Sequence, residues 1–223
     1  MKRTIVFEDW GKTDYLQAWE RQKQIFELAI AAKQAGETAI NTLVFCEHPP
    51  VITIGKSGSR TNLLYDAQAL AERGVAYYEI DRGGDVTFHG PGQLVGYPVF
   101  DIEQFALGLK SYIYKVEESV IQLLAGYGLC AARLEGATGV WLDTDTPGRT
   151  RKICAIGVRS SRYVTMHGFA LNVNTDLSYF SLIHPCGFVD KGVTSMQAEL
   201  GGDEVDMEKV KKELKTIFEK MFQ

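Results

Sequence analysis

The sequence predicts an α+β fold, a mixed and largely antiparallel sheet flanked by helices, and three observations carry that expectation. Short runs rich in β-branched and apolar residues recur along most of the chain. Three longer segments repeat their apolar positions at the helical period instead. Helices and strands do not alternate as a doubly wound parallel sheet requires, and no repeat, low-complexity tract or linker divides the 223 residues. A single domain over residues 1–223 is therefore expected.

Taken in order, residues 3–9 read as a strand, and residues 14–34 set Tyr15, Trp19, Phe26, Ala29 and Ile30 near a 3.6 period, ending before Gly36. Apolar runs at 39–46 and 51–54 flank Glu47-His48-Pro49-Pro50, where consecutive prolines break any ladder and leave His48 at a strand end. A short helix around 66–73 stops at Gly74, and 75–80 alternates like a strand. A helix over 109–125 places Leu109, Tyr112, Ile113, Val116, Val120, Leu123 and Leu124 on one face, with Gly126 and Gly128 beyond; its Lys-Glu-Glu cluster at 115–118 reads as solvated. Strands are expected at about 130–135, 139–142, 151–159 and 163–173, the last two joined through Arg159-Ser160-Ser161-Arg162 as a hairpin. A final helix over 207–222 repeats Val210, Leu214, Ile217, Phe218 and Met221, with Asp206 as its cap.

Composition excludes several classes of function. With 45% hydrophobic and 23% charged residues the chain is neither disordered nor fibrous. A net charge of −4 provides no overall positive field for nucleic acid or an anionic membrane. Cys46, Cys130, Cys154 and Cys186 form no C-x-x-C pair, so neither a structural zinc site nor dithiol redox chemistry is expected. The N-terminus turns acidic before a signal-length apolar stretch develops, and no 18-residue apolar run occurs, which points to a cytoplasmic protein with reduced thiols.

The most unusual string is Arg82-Gly83-Gly84-Asp85-Val86-Thr87-Phe88-His89-Gly90-Pro91-Gly92-Gln93. A simple turn needs far fewer glycines, and glycines interleaved with Arg, Asp, Thr, His and Gln suit a loop whose backbone approaches a ligand. It matches neither a phosphate-binding loop nor a dinucleotide fingerprint. Lys152 opens the run Lys-Ile-Cys-Ala-Ile-Gly-Val-Arg, and Cys186 lies between Pro185 and Gly187, as a thiol on an exposed bend would. An ammonium near a thiol favours the thiolate. Cys154 is the rival partner for Lys152, since residues two apart on a strand share a face, but inside an apolar strand it reads as a buried packing group. His167, beside Gly168 and Ala170, reads first as a hydrogen-bonded core residue and second as a base. No zinc-hydrolase or serine-hydrolase motif is present.

At these residues the sequence resembles the octanoyl (lipoyl) transferase family, enzymes that move an octanoyl group from acyl carrier protein to a lysine of lipoyl domains. The signature R-G-G-x-x-T-[FY]-H-G-P-G-Q followed by L-x-x-Y is met from Arg82 to Tyr97, and E-H-P-P-V-x-T-x-G from Glu47 to Gly55. Lys152-Ile153, Ala155-Ile156-Gly157, His167 to Asn172 and Pro185-Cys186-Gly187 follow in the family's order, so the resemblance spans roughly residues 40–190. It implies Cys186 as the acyl-thioester nucleophile and Lys152 as the residue that lowers its pKa and relays protons. It also implies acyl-binding positions at Arg82, Gly83, Gly84, Asp85, Val86, Thr87, Phe88 and His89, at Ala155, Ile156 and Gly157, and at Gly168, Phe169 and Ala170. The implied fold is that of biotin and lipoate protein ligases. The implied enzyme is a cytoplasmic monomer with no metal and no cofactor, since the acyl group arrives on phosphopantetheine. Implied partners are octanoyl-acyl carrier protein and the lipoyl domains of 2-oxoacid dehydrogenase complexes and glycine cleavage H protein; no nucleic acid and no membrane take part. Arg149, Arg151, Arg159 and Arg162 crowd the sequence near Lys152 and suggest a positive rim for an acidic carrier. The alternatives are an ATP-dependent lipoate or biotin ligase and a non-catalytic carrier or lipoyl-domain binder.

Overall fold

The computed structural model describes residues 4–183 and 191–223. In chain order its elements are β1 (Ile5–Lys12), α1 (Tyr15–Gln34), β2 (Asn41–Glu47), β3 (Val51–Ile54), α2 (Ala67–Glu72), β4 (Ala76–Glu79), β5 (Val86–His89) and β6 (Gln93–Val99). There follow α3 (Leu109–Gly126), β7 (Ala131–Leu134), β8 (Ala137–Leu142), β9 (Arg151–Ser161), β10 (Val164–Asn172), β11 (Gly192–Val193), α4 (Met196–Glu199) and α5 (Met207–Met221). The larger sheet runs β1-β2-β6-β10-β9-β8-β7, with β1 and β2 parallel and its other neighbours antiparallel. β11 lies parallel to β9 at Arg151 and Lys152, in the row that β10 leaves after pairing Leu171 with Cys154. The smaller sheet, β4-β3-β5, has one parallel and one antiparallel pair. Among the described residues no helix is long and apolar enough to cross a membrane.

Packing follows from the periodicities. On α5, Val210, Leu214 and Phe218 are buried in the main core with Phe45, Leu94, Phe169 and Leu171 of the sheet and Val116, Val120 and Leu124 of α3. Burial of a Leu or Phe contributes about 1.5–3 kcal/mol, which the exposed polar face of α5 does not offset. Asp206 starts the helix by accepting the Lys209 N–H at 3.1 Å. The opposite face of the sheet takes α1, capped by Asp14 at 2.9 Å from the Leu16 N–H, with Phe26 and Ala29 against Val99, Val164 and Met166. α1 leaves part of that face uncovered. The smaller sheet, around its own core of Ile52, Ile54, Leu70, Val86 and Phe88, stands over the remainder.

Three local readings change. Residues 82–93 are not one loop: Val86–His89 pairs with β3 in the smaller sheet, and the chain turns through Gly90-Pro91-Gly92 to enter the larger sheet at Gln93. The β-branched and aromatic residues at 86–88 can pair, and the glycines are left to the two connections. The β9–β10 hairpin turns at Arg162-Tyr163, both with positive φ (50° and 64°), after the ladder has run on to Ser161 and Val164. A two-residue turn with both centres left-handed matches the twist of the strands, and that requirement overrides the usual preference for Asn-Gly. Lastly, Glu117 is not solvated. It is buried, accepting from the Gly139 N–H at 3.0 Å and from Arg133 Nε at 3.0 Å, so the polar cluster on α3 anchors β7 and β8.

Candidate active site

Between the uncovered face of the larger sheet and the smaller sheet lies a mostly apolar cavity of about 350 Å³. The larger sheet contributes Val95 and Tyr97 from β6, Gly168, Ala170 and Asn172 from β10, and Ala155 and Gly157 from β9. The opposing wall is Arg82, Gly84, Asp85, Val86, Thr87 and His89, with Tyr15 of α1 at the side. Lys152, Trp141 and residues 191–193 close the end where β8 and β11 meet β9.

Each wall is held by named bonds. The Arg82 guanidinium, nearly buried, donates to Thr53 O (2.8 Å), Thr53 Oγ1 (3.1 Å) and Gly83 O (3.0 Å), tying the glycine string to β3. The Gly83 N–H donates to Val158 O at 3.0 Å and pins the string to β9. The Asp85 carboxylate accepts from Asn62 Nδ2 at both oxygens (2.9 and 2.8 Å). Gln93 Nε2 donates to Asn172 Oδ1 (2.9 Å) and Phe88 O (3.1 Å), which leaves Gln93 Oε1 to accept from His89 Nδ1 at 2.8 Å. Burial, reinforced by the neighbouring His48, holds the His89 pKa down at about 3, so the ring is neutral with its hydrogen on Nδ1. His48 donates from Nδ1 to Thr13 O and accepts the Tyr97 hydroxyl at Nε2, both at 2.7 Å. Burial lowers its pKa as well.

His167 is the hydrogen-bonded core residue that the sequence put first. It is buried and bonded through Nε2 to Asp81 Oδ1 at 2.8 Å, and it lines the cavity. Its φ of 62° is uncommon for a residue inside a strand ladder and turns the ring toward Asp81. Burial lowers the His167 pKa against the opposing pull of Asp81, and the donated hydrogen bond holds the Asp81 carboxyl below its ordinary range.

Lys152 owes its place to a β-bulge. Trp141 pairs with Lys152 but Val140 pairs with Cys154, so one step on β8 spans two on β9 and Ile153 is the extra residue. Lys152 thereby lines the cavity, while Ile153 and Cys154 both enter the main core. The expectation that Lys152 and Cys154 share a face is overturned, and burial pushes the Cys154 thiol far up. Cys46 is likewise buried with a raised pKa, and Cys130 is exposed. Cys186 lies outside the described residues.

Of the positions implied for acyl binding, Arg82, Gly84, Asp85, Val86, Thr87, His89, Ala155, Ile156, Gly157, Gly168, Phe169 and Ala170 line the cavity. Phe88 does not: its ring points into the smaller sheet's core and stacks on Tyr179 at 4.7 Å, because alternation along β5 sends Thr87 and His89 the other way. Gly83 is outside the lining too, spent on its contact with β9. Tyr15 and Trp141, which line the cavity, and Asp81, which bonds the cavity-lining His167, carry no site role in the sequence reading; each looked like an ordinary strand, helix or loop residue, and only long-range packing gives them these places. Three of the four arginines of the expected rim are held in ion pairs. Arg151 is bound to Glu199 (2.6 Å) and Asp143 (2.5 Å), Arg149 pairs with Asp143 (3.5 Å), and Arg159 pairs with Asp81. Crowding in sequence becomes separation along an extended strand at roughly 3.3 Å per residue.

Solved structures place this architecture. A bi-partite lipoate protein ligase from Thermoplasma acidophilum superposes with a TM-score of 0.69 at 17% identity, over 97% of this chain and 82% of that one. The biotin protein ligase of Aquifex aeolicus, in complex with biotin and ATP, gives 0.51 at 11% identity, over 99% and 70%. The fold class is therefore that of the lipoate and biotin protein ligases. The family model described as the lipoyl protein ligase A/B catalytic domain matches residues 14–219. The octanoyltransferase of Parabacteroides distasonis is 59% identical over 216 residues, 97% of each chain, and that of Cytophaga hutchinsonii is 49% identical over 97% of this chain and 93% of its own. The chain belongs to the octanoyltransferase family.

Proposed function

We propose that this acyltransferase moves an octanoyl or lipoyl group from acyl carrier protein to a lysine of lipoyl domains, those of 2-oxoacid dehydrogenase complexes and glycine cleavage H protein, through a thioester on Cys186. The observation that carries the reading is the bulge that turns Lys152 into a mostly apolar cavity lined by nearly all the positions implied for the acyl chain. Five residues after Cys186 the chain re-enters the described structure at Lys191, in the same lining.

In the first half-reaction the Cys186 thiol gives its proton to Lys152 and the thiolate attacks the carrier thioester carbonyl. Collapse of the tetrahedral adduct breaks the bond to the phosphopantetheine sulfur, which leaves with a proton from the Lys152 ammonium. In the second, the acceptor amine attacks the acyl-Cys186 carbonyl, Cys186 departs as thiolate, and the surplus amine proton passes to Lys152. One thioester becoming another is nearly balanced and amide formation is downhill, so the sequence of steps closes without nucleotide or metal.

Intact-mass measurement after mixing the protein with octanoyl-carrier protein, with and without ATP, tests this. One octanoyl group should appear on Cys186 without ATP, none in Cys186→Ala, and turnover in Lys152→Ala should fall at least a hundredfold, roughly the scale of a lost acid–base group. An adduct that requires ATP, or none at all, would instead favour the ligase or the silent binder.

A further inference from the structure

We propose that Trp141 is the positioning residue for Lys152, its indole face holding the ammonium at the end of the acyl cavity. This rests on the reading of Lys152 as the proton carrier and adds a residue that neither the sequence motifs nor the family resemblance singled out.

The Lys152 Nζ stands 4.5 Å from the centroid of the Trp141 ring. Trp141 is buried, pairs directly with Lys152 across the β8–β9 ladder, and lines the cavity beside it. Its Nε1–H donates to Ala137 O at 3.1 Å, which fixes the plane of the ring. The other side of the lysine stem is set by Gly139, whose φ is 125°. A Cβ there would meet Cys154 O at 2.7 Å and stand 3.6 and 3.7 Å from Lys152 Cε and Cδ. The stem therefore runs in a slot between a glycine and an indole, both on β8. The slot is anchored from behind, where the Gly139 N–H reaches the buried Glu117 carboxylate.

A π face attracts a cation and has no such attraction for the neutral amine, and the effect is larger where water is excluded. Trp141 thus favours the protonated form of Lys152 and fixes where its proton is delivered. Among the described residues, the charged and titratable groups around the slot are Glu117 of α3 with its partner Arg133 of β7, Cys154 and Arg151 on the same strand, and, in the shared lining, Lys191, Arg82, Asp85, His89, His167, Tyr15 and Tyr97. Arg151 is neutralised by Glu199 and Asp143.

The test is the pH profile of kcat/KM for transfer from octanoyl-carrier protein, with all tryptophan replaced biosynthetically by fluorinated tryptophan, which weakens the π face and preserves shape. The alkaline limb should move at least half a pH unit downward and further with each added fluorine, with KM unchanged. In Trp141→Phe, where the remaining tryptophans are Trp10 and Trp19, fluorination should move nothing. Trp141→Leu should lose at least tenfold in kcat and Trp141→Phe should recover most of it. An alkaline limb indifferent to fluorination overturns the positioning role. If Lys152→Ala itself turns over near-normally, the failure lies instead in the dyad on which this rests, so the two failures are distinguishable.

Discussion

Lys152 and Cys154 stand two apart on one strand and reach opposite faces of it, and this separation assigns their chemistry. A thiol in the main core beside Val140 and Leu171 is desolvated, which disfavours the nucleophilic thiolate, whereas a lysine at the cavity can exchange protons with a substrate. Cys154→Ala should therefore keep acyl transfer within twofold of the parent and cost about 1 kcal/mol of stability from the small void it leaves. Steady-state rates and urea unfolding check both parts, and a Cys154→Ala protein that no longer accepts an acyl group would reassign the nucleophile. The polar and glycine-rich strings that carry the candidate site were legible in sequence because such residues are costly to place in a simple turn or core. The bulge was not, since it is set by pairing between β8 and β9 rather than by β9 alone. The same holds for Asp81, whose partners His167 and Arg159 lie on β10 and β9.

Helices were the most legible elements, because a face that must meet the core repeats within the element itself. Residues 14–34, 109–125 and 207–222 all carry that signature, and the structure places α1, α3 and α5 there to within a residue or two. Strand partition was harder. Val86–His89 and Gln93–Val99 look alike in composition, yet one belongs to each sheet, and only the partners tell them apart. That division makes the cavity, since the crossing from sheet to sheet at Gly90-Pro91-Gly92 holds the two walls at one edge. At this scale a cap predicts a separable effect. Asp206 satisfies the Lys209 N–H at the start of α5, so Asp206→Ala should lower stability by about 1 kcal/mol. α5 packs on the face of the larger sheet opposite the cavity, so the same variant should transfer acyl groups at the parent rate. A shifted urea midpoint with unaltered slope and unaltered kcat is the expected pair of readings; loss of activity without loss of stability would mean that α5 communicates with the cavity.

For the molecule as a whole, the polar side of the cavity exacts a dependence on pH. His48, His89 and His167 are all buried, and burial lowers the pKa of each. In the unfolded chain a histidine takes up a proton near pH 6.5. Below that value the unfolded state binds more protons than the fold does, so stability falls as pH falls; for His89 this continues until its folded value of about 3 is reached. One excess proton corresponds to about 1.4 kcal/mol per pH unit. Asp81 acts in the same direction but lower, because its depressed pKa gives stability that is present above about pH 4 and lost beneath it. The fold should thus be most stable near neutrality and lose several kcal/mol between pH 6.5 and pH 4.5, read as a falling urea midpoint. His89→Gln isolates one ring, since a glutamine amide can still donate to Gln93 Oε1 but carries no titrating proton. Its unfolding free energy should decline by about 1.4 kcal/mol less per pH unit between pH 6 and 4. A parent protein whose stability is flat from pH 7 to 5 would mean that these imidazoles are hydrated, and that the walls of the cavity are not packed as described.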